Sequence, residues 1–186
     1  MKYSKLLSFV MFSIFLGCDA SNGPNENSSQ PKNEFSNDGT VDIKQYSSSL
    51  SDGINFSKDG YPIFISNVSG VSGGMSAWGR WTDDTVAVFK FKEKLPKKFK
   101  LILSAFPSQS LANKMVYLKV GGEEKTILMG DALTAKTFEV EFNSPDQTDM
   151  LSIIMNDAKS PSELDPTNPD KRILGLGLLS LSIKLN

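Results

Sequence analysis

An all-β fold is predicted for residues 60–186: two antiparallel sheets packed as a sandwich, a jelly roll more than an immunoglobulin topology. Three observations predict it. Apolar residues recur at every second position in about eight short runs, the period of a half-buried strand. Turn residues separate those runs at regular spacing, as between antiparallel neighbours. Beyond Gly60 no stretch sustains a helical period, apart from one expected turn at Ser160-Pro161-Ser162-Glu163-Leu164. The length is ample for one core and too short for two.

The first strand is expected over Tyr61 to Val68, where Tyr61, Ile63 and Ile65 alternate with Pro62 and Phe64 and the proline sits at the strand start. From Thr85 to Lys92, Ala87, Phe89 and Phe91 share one face, with Val86, Val88, Lys90 and Lys92 opposite. The turn Leu95-Pro96-Lys97-Lys98 leads into Phe99 to Phe106, which places Phe99, Leu101, Leu103 and Ala105 together. Met115 to Val120 and Glu124 to Met129 flank Gly121-Gly122, a hairpin signal because paired glycines accept positive φ. Lys136 to Phe142 sets Phe138, Val140 and Phe142 against Thr137, Glu139 and Glu141, and Leu151 to Met155 is a short buried run. Ile173 to Leu185 closes the chain, with Leu179, Leu181, Ile183 and Leu185 inward and Ser180, Ser182 and Lys184 outward.

Ahead of this domain the chain reads as an address and a tether. Lys2 and Lys5 precede an apolar run from Leu6 to Leu16, too short to span a bilayer as a helix of ~20 residues, which marks residues 1–17 as a cleavable signal peptide. Phe15-Leu16-Gly17-Cys18 resembles the lipobox of bacterial lipoproteins, in which the cysteine becomes the acylated first residue of the mature chain. That resemblance implies a lipid anchor at Cys18 and a place on the bacterial envelope, at the periplasmic face of the inner membrane or at the outer membrane. Residues 18–59 are rich in serine and asparagine and bury too little apolar surface to offset chain entropy, so they read as a flexible tether. Within it, Val41 to Phe56 is an alternative edge strand of the sandwich.

Composition excludes several chemistries. The chain has no histidine and a single cysteine. A Ser-His-Asp triad, a Cys-His pair and imidazole-based zinc sites are thereby ruled out, and a sole thiol that carries a lipid leaves no disulfide. With 20 basic and 21 acidic side chains, bulk electrostatics points to neither nucleic acid nor an anionic surface as partner. The strip Lys92, Lys94, Lys97, Lys98, Lys100 reads as a solvated hairpin end, with contact to anionic glycan or phospholipid headgroups as the alternative. No cofactor is called for.

The densest chemistry lies in Gly73 to Asp84, which holds both tryptophans, Arg80 between them, and the carboxylates Asp83 and Asp84. Strand alternation would put Trp78 and Arg80 on one face and Trp81 on the other, making Trp81 the core member and Trp78 the approachable ring. An aromatic face stacks on the C–H face of a pyranose, while arginine and carboxylates hydrogen-bond its hydroxyls, so Trp78, Arg80, Trp81, Asp83 and Asp84 are candidate ligand contacts. A structural role for the same residues, as core aromatics and an ion pair, is the competing reading. Asp165, Asn168 and Asp170 form a weak calcium candidate, since calcium asks for six to eight oxygens and this loop supplies few. Asp83, Asp84, Glu163, Asp165 and Asp170 are also the carboxylates from which a glycan hydrolase would have to draw its pair.

Trp78-Gly79-Arg80-Trp81-Thr82-Asp83, followed by Ser160-Pro161-Ser162-Glu163-Leu164 and by Asp170-Lys171-Arg172-Ile173-Leu174-Gly175-Leu176-Gly177-Leu178, with Leu95-Pro96 and Val120-Gly121-Gly122, resembles the C-terminal domain of bacterial phosphoglycerol transferases that decorate periplasmic glucans. Similar domains end some membrane-bound sugar-transfer proteins. The resemblance covers most of Tyr61 to Asn186, and Lys171 stands where a second arginine is expected. It implies an accessory β-domain in a glycan-handling envelope, with Trp78, Arg80, Trp81, Arg172 and the carboxylates Asp83, Asp84 and Glu163 as its distinctive residues and candidate ligand contacts, because in those enzymes the transfer chemistry belongs to a separate metal-dependent domain that nothing here matches. The expected function is a non-catalytic lipoprotein that binds a periplasmic glycan or an envelope protein. The alternatives are a carboxylate-dependent glycan hydrolase and a structural envelope module.

Overall fold

The computed structural model describes residues 43–144 and 146–185. The expected signal peptide, Cys18 and the first part of the expected tether, residues 19–42, lie outside the described residues. Helix α1 (Ile43–Asp52) is followed by strands β1 (Ile54–Asn55), β2 (Ile65–Ser69), β3 (Arg80–Trp81), β4 (Val86–Phe91), β5 (Lys98–Pro107), β6 (Met115–Val120), β7 (Glu123–Leu128), β8 (Lys136–Asn143) and β9 (Met150–Ile154), then by helix α2 (Pro161–Leu164) and strand β10 (Leu176–Leu185).

The strands form two sheets. One runs β1-β10-β5-β8 with β3 also paired to β10; the other runs β2-β4-β9-β6-β7. The pairs β3 with β10, β4 with β9, β5 with β8 and β6 with β7 are all antiparallel and nest one inside the next along the chain. Nested pairs dealt alternately to two sheets are the strand arrangement of a jelly roll. Between the sheets, Ala87, Phe89 and Phe91 of β4 and Leu101, Leu103 and Ala105 of β5 are buried as their alternation predicts, joined by Leu118, Ile153, Leu181 and Ile183. The hairpin at Gly121-Gly122 pairs Val120 with Glu123. The expected helical turn is α2, closed by a capping box between Ser160 and Glu163 with Pro161 in its first turn.

Four expectations are corrected. The tether does not run to residue 59: positions 43–52 are helical, β1 pairs with β10, and Leu50, Ile54 and Phe56 are core residues, the Phe56 ring lying 5.8 Å from that of Phe89. The short edge strand weighed within Val41 to Phe56 is real only at Ile54–Asn55. The strand expected from Tyr61 begins at Ile65, because residues 62–65 make a turn closed by the Ile65 N–H to the Pro62 carbonyl; Phe64 and Ile65 are therefore buried and Ile63 is exposed. In β10 a bulge between Leu178 and Ser180 shifts the register. Leu176 and Leu178 face inward before it and Leu181 and Ile183 after it, while Leu179 is half-buried and Leu185 is exposed. An extra residue in one strand reverses the facing of all that follow, which strict alternation cannot anticipate.

Candidate functional site

The Trp78 to Asp84 stretch is built on a tight turn. Ser76 and Gly79 exchange backbone hydrogen bonds, Ser76 N to Gly79 O at 2.9 Å and Gly79 N to Ser76 O at 3.1 Å, so Ala77 and Trp78 form the tip. Gly79 has φ 151°, and a Cβ there would lie 2.0 Å from the carbonyl oxygen of Leu178. Only glycine meets both conditions. The unusual backbone at Gly79 interrupts the alternation, and the consequence contradicts the expected facing: Trp78 and Trp81 come to the same side, and Arg80 goes to the other.

β3 is pinned to β10 by Thr82, which is fully buried. Its Oγ accepts from Leu176 N at 2.8 Å, and its N–H donates to Leu176 O at 2.8 Å. In this register Trp81 of β3 lies opposite Gly177 of β10, and Gly177 lies opposite Phe106 of β5. Gly177 has no side chain to separate its neighbours; a Cβ would meet the Phe106 ring at 2.3 Å. The rings therefore close over it. Trp81 and Phe106 have centroids 5.3 Å apart, Trp78 and Phe106 4.8 Å, and Trp78 and Trp81 5.4 Å, with edge-to-face or tilted geometry. All three are half-buried. Neither tryptophan is a core residue, and Phe106, which sequence reasoning did not single out, completes the cluster.

Arg80 is only 6% exposed. Nη1 donates to Gly73 O and Nη2 to Lys58 O, each at 3.2 Å, the guanidinium sits 5.5 Å over the Tyr61 ring, and Nε has no hydrogen-bond partner among the described residues. Its 3.9 Å contact with Asp59 involves a fully exposed carboxylate. Burial also raises the Tyr61 phenol above its ordinary 10, against the opposing effect of Arg80. The arginine thus ties two loops behind the turn and does not reach a shared surface with the tryptophans, contrary to the expected grouping.

The remaining candidates are separated. Asp83 and Asp84 are exposed, and Asp84 Oδ1 accepts from Thr85 N at 2.6 Å. Glu163 Oε2 accepts from Ser160 N at 2.8 Å and from Ser160 Oγ at 2.9 Å, bonds that hold its carboxyl below the ordinary value. Asp165 Oδ1 closes a turn on Thr167 N and Oγ1, which lowers it likewise. Asn168 Oδ1 accepts from Asp170 N at 2.9 Å. Asp170 is engaged by Arg172 through Nε at 3.0 Å and Nη2 at 2.6 Å and is pulled down to about 2. Of the calcium candidates, each therefore has an oxygen in a local turn or ion pair. Among the described residues no three acidic, cysteine or histidine side chains gather to hold a metal.

Beside the aromatic cluster a groove of about 530 Å³ opens between Trp81, the Ser108–Gln109 and Ala132–Leu133 loops, and the segment carrying α2. Leu133 and Leu164 line it and are 68% and 42% exposed. Trp81 belongs to both features.

These elements define a jelly-roll β-sandwich with an aromatic face on one sheet and a surface groove next to it. The chain belongs to the family described as "Domain of unknown function (DUF7024)", which matches residues 41–185 and so takes in α1 and β1. It is 31% identical over 132 residues to phosphoglycerol transferase I of Escherichia coli O139:H28, a match covering 69% of this chain and 17% of that protein. The same figures hold for phosphoglycerol transferase I of Shigella boydii serotype 18. The match thus spans about a sixth of the length of these relatives. Among solved structures, a mutant family 29 carbohydrate-binding module aligns with a TM-score of 0.46 at 10% identity, over 70% of this chain and 89% of that one.

Proposed function

We propose that this chain is a non-catalytic glycan-binding domain of the bacterial envelope, carried on an acylated Cys18, with Trp78, Trp81 and Phe106 as its sugar-contacting face. One observation carries the reading: three aromatic rings, half-buried and in mutual contact, sit on the outer face of a sheet over Gly177, where a core would not need them. Rings fixed by one another present apolar area at little entropic cost, which is what stacking on a pyranose asks. The Gln109 and Asn168 amides in the groove shared with Trp81 supply hydroxyl-binding groups.

The kinship to phosphoglycerol transferases supports an envelope setting, and the small share of those proteins that is matched supports an accessory role. Hydrolysis would require a carboxylic acid whose pKa is raised toward neutrality. Glu163, Asp165 and Asp170 are all shifted the other way by hydrogen bonds to their anionic forms.

A glycan array probed with the purified mature chain tests the proposal. Retention of a glucan or other envelope saccharide by the native chain, lost in Trp81→Ala and in Phe106→Ala while both variants still melt cooperatively, is the expected result. A folded native chain that retains no sugar would overturn it and favour an envelope protein as partner.

A further inference from the structure

The groove beside Trp81 is lined by leucines as well as by polar side chains. A pyranose gives an aromatic ring its C–H face and presents hydroxyls elsewhere, so a site for sugar alone surrounds its tryptophan with hydrogen-bonding groups. Here Leu133, Leu164 and Leu174 share the groove with Trp81 alongside Ser108, Lys159 and Asp165, and the first two leucines are exposed. A single exposed leucine is ordinary; here two line the same groove beside an aromatic cluster. Leu133 is also held at φ 59°, a conformation unfavourable for an L residue, with its N–H bonded to Pro107 O at 2.9 Å. The fold thus spends backbone strain to keep this side chain at the groove. Gln109 and Asn168, both exposed, add amide donors and acceptors to the same lining. The groove's size falls within the range of sites that hold small molecules.

Building on the glycan reading, we infer that the ligand is a lipid-linked saccharide: its sugar rests on the Trp78, Trp81 and Phe106 face, and the first part of its aliphatic chain lies in the groove against Leu133 and Leu164. Trp81, common to the cluster and the groove, marks the junction. Gln109 and Asn168 meet the polar link between sugar and chain.

Methyl and octyl β-glucoside, the latter below its micelle concentration, provide the probes, and the tryptophan indole N–H signals of the full chain provide the readout. Octyl glucoside is expected to bind at least tenfold more tightly than methyl glucoside, the gain from removing about two methylene groups from water. In Leu133→Asn, which keeps a residue tolerant of positive φ, and in Leu164→Ser, that ratio is expected to fall toward one. Binding of both glucosides with equal affinity would overturn the inference and leave the glycan reading standing. A preference for the octyl compound that survives both variants would also overturn it. Indole signals that neither glucoside moves would overturn both.

Discussion

Gly79 determines which way the site faces, and the effect is measurable. Gly79→Ala puts a methyl against the Leu178 carbonyl at a positive φ, so it is expected to lower stability by at least about 1 to 3 kcal/mol in a denaturant melt. Sequence alternation distinguished Trp78 from Trp81, but the three-ring contact makes them alike. Trp78→Ala and Trp81→Ala should each cost about 1 to 2 kcal/mol, the scale of a half-buried aromatic contact, in place of one large and one negligible loss. Arg80→Lys should destabilise by about 1 to 3 kcal/mol, since a single ammonium cannot bridge Gly73 O and Lys58 O as the planar fork does. At Asp170 the prediction concerns pH. Its folded pKa, about 2, lies below the ordinary 3.8, so the pairing with Arg172 stabilises the fold above roughly pH 4 and is lost as pH falls through about 2. A carbon-detected titration should find the Asp170 midpoint near that value, and Arg172→Gln should return it toward 3.8.

At the scale of elements, legibility followed how local the cause was. β4, β5 and β8 were readable because alternate side chains meet one core, and α2 because Ser160, Pro161 and Glu163 form a capping signal within four residues. Helix α1 carries apolar residues at positions 43, 46 and 50, an i, i+3, i+7 spacing present in the sequence but diluted by serines. It becomes a stable element only through packing of its end on β10, as short helices generally do. The bulge in β10 has no local signature, and it undid the expected facing of Leu179 and Leu185. A chain beginning at Gly60 loses Leu50, Ile54 and Phe56, each worth about 1.5 to 3 kcal/mol when buried, which together approach the whole stability of an ordinary domain. Calorimetry of that chain should show no cooperative transition, whereas one beginning at Val41 should melt in a single step.

For the molecule as a whole, the two-sheet sandwich was legible from the count of strands and the turns between them, whereas the nesting of β3–β10, β4–β9 and β5–β8 around the β6–β7 hairpin joins strands far apart in the chain and has no local signal. The aromatic face was not legible either. Phe106 is unremarkable in sequence, an outward residue at the end of β5, and it meets Trp81 only because β3 and β5 both pair with β10 at Gly177. The candidates named from the Trp78 to Asp84 stretch and from the resemblance motifs do not gather there: Arg80 lies behind the turn, Glu163 in a helix cap and Arg172 in a pair with Asp170. The central claim is that sugar binds on this sheet face, and an amide and indole NMR titration of the full chain with a soluble glucan oligosaccharide tests it most directly. The account predicts that the indole signals of Trp78 and Trp81 and the amide of Gly177 move first and furthest, with Tyr117 and Lys119 on the other sheet unmoved. Shifts centred on Tyr117 and Lys119, or no shifts at millimolar saccharide, would contradict it.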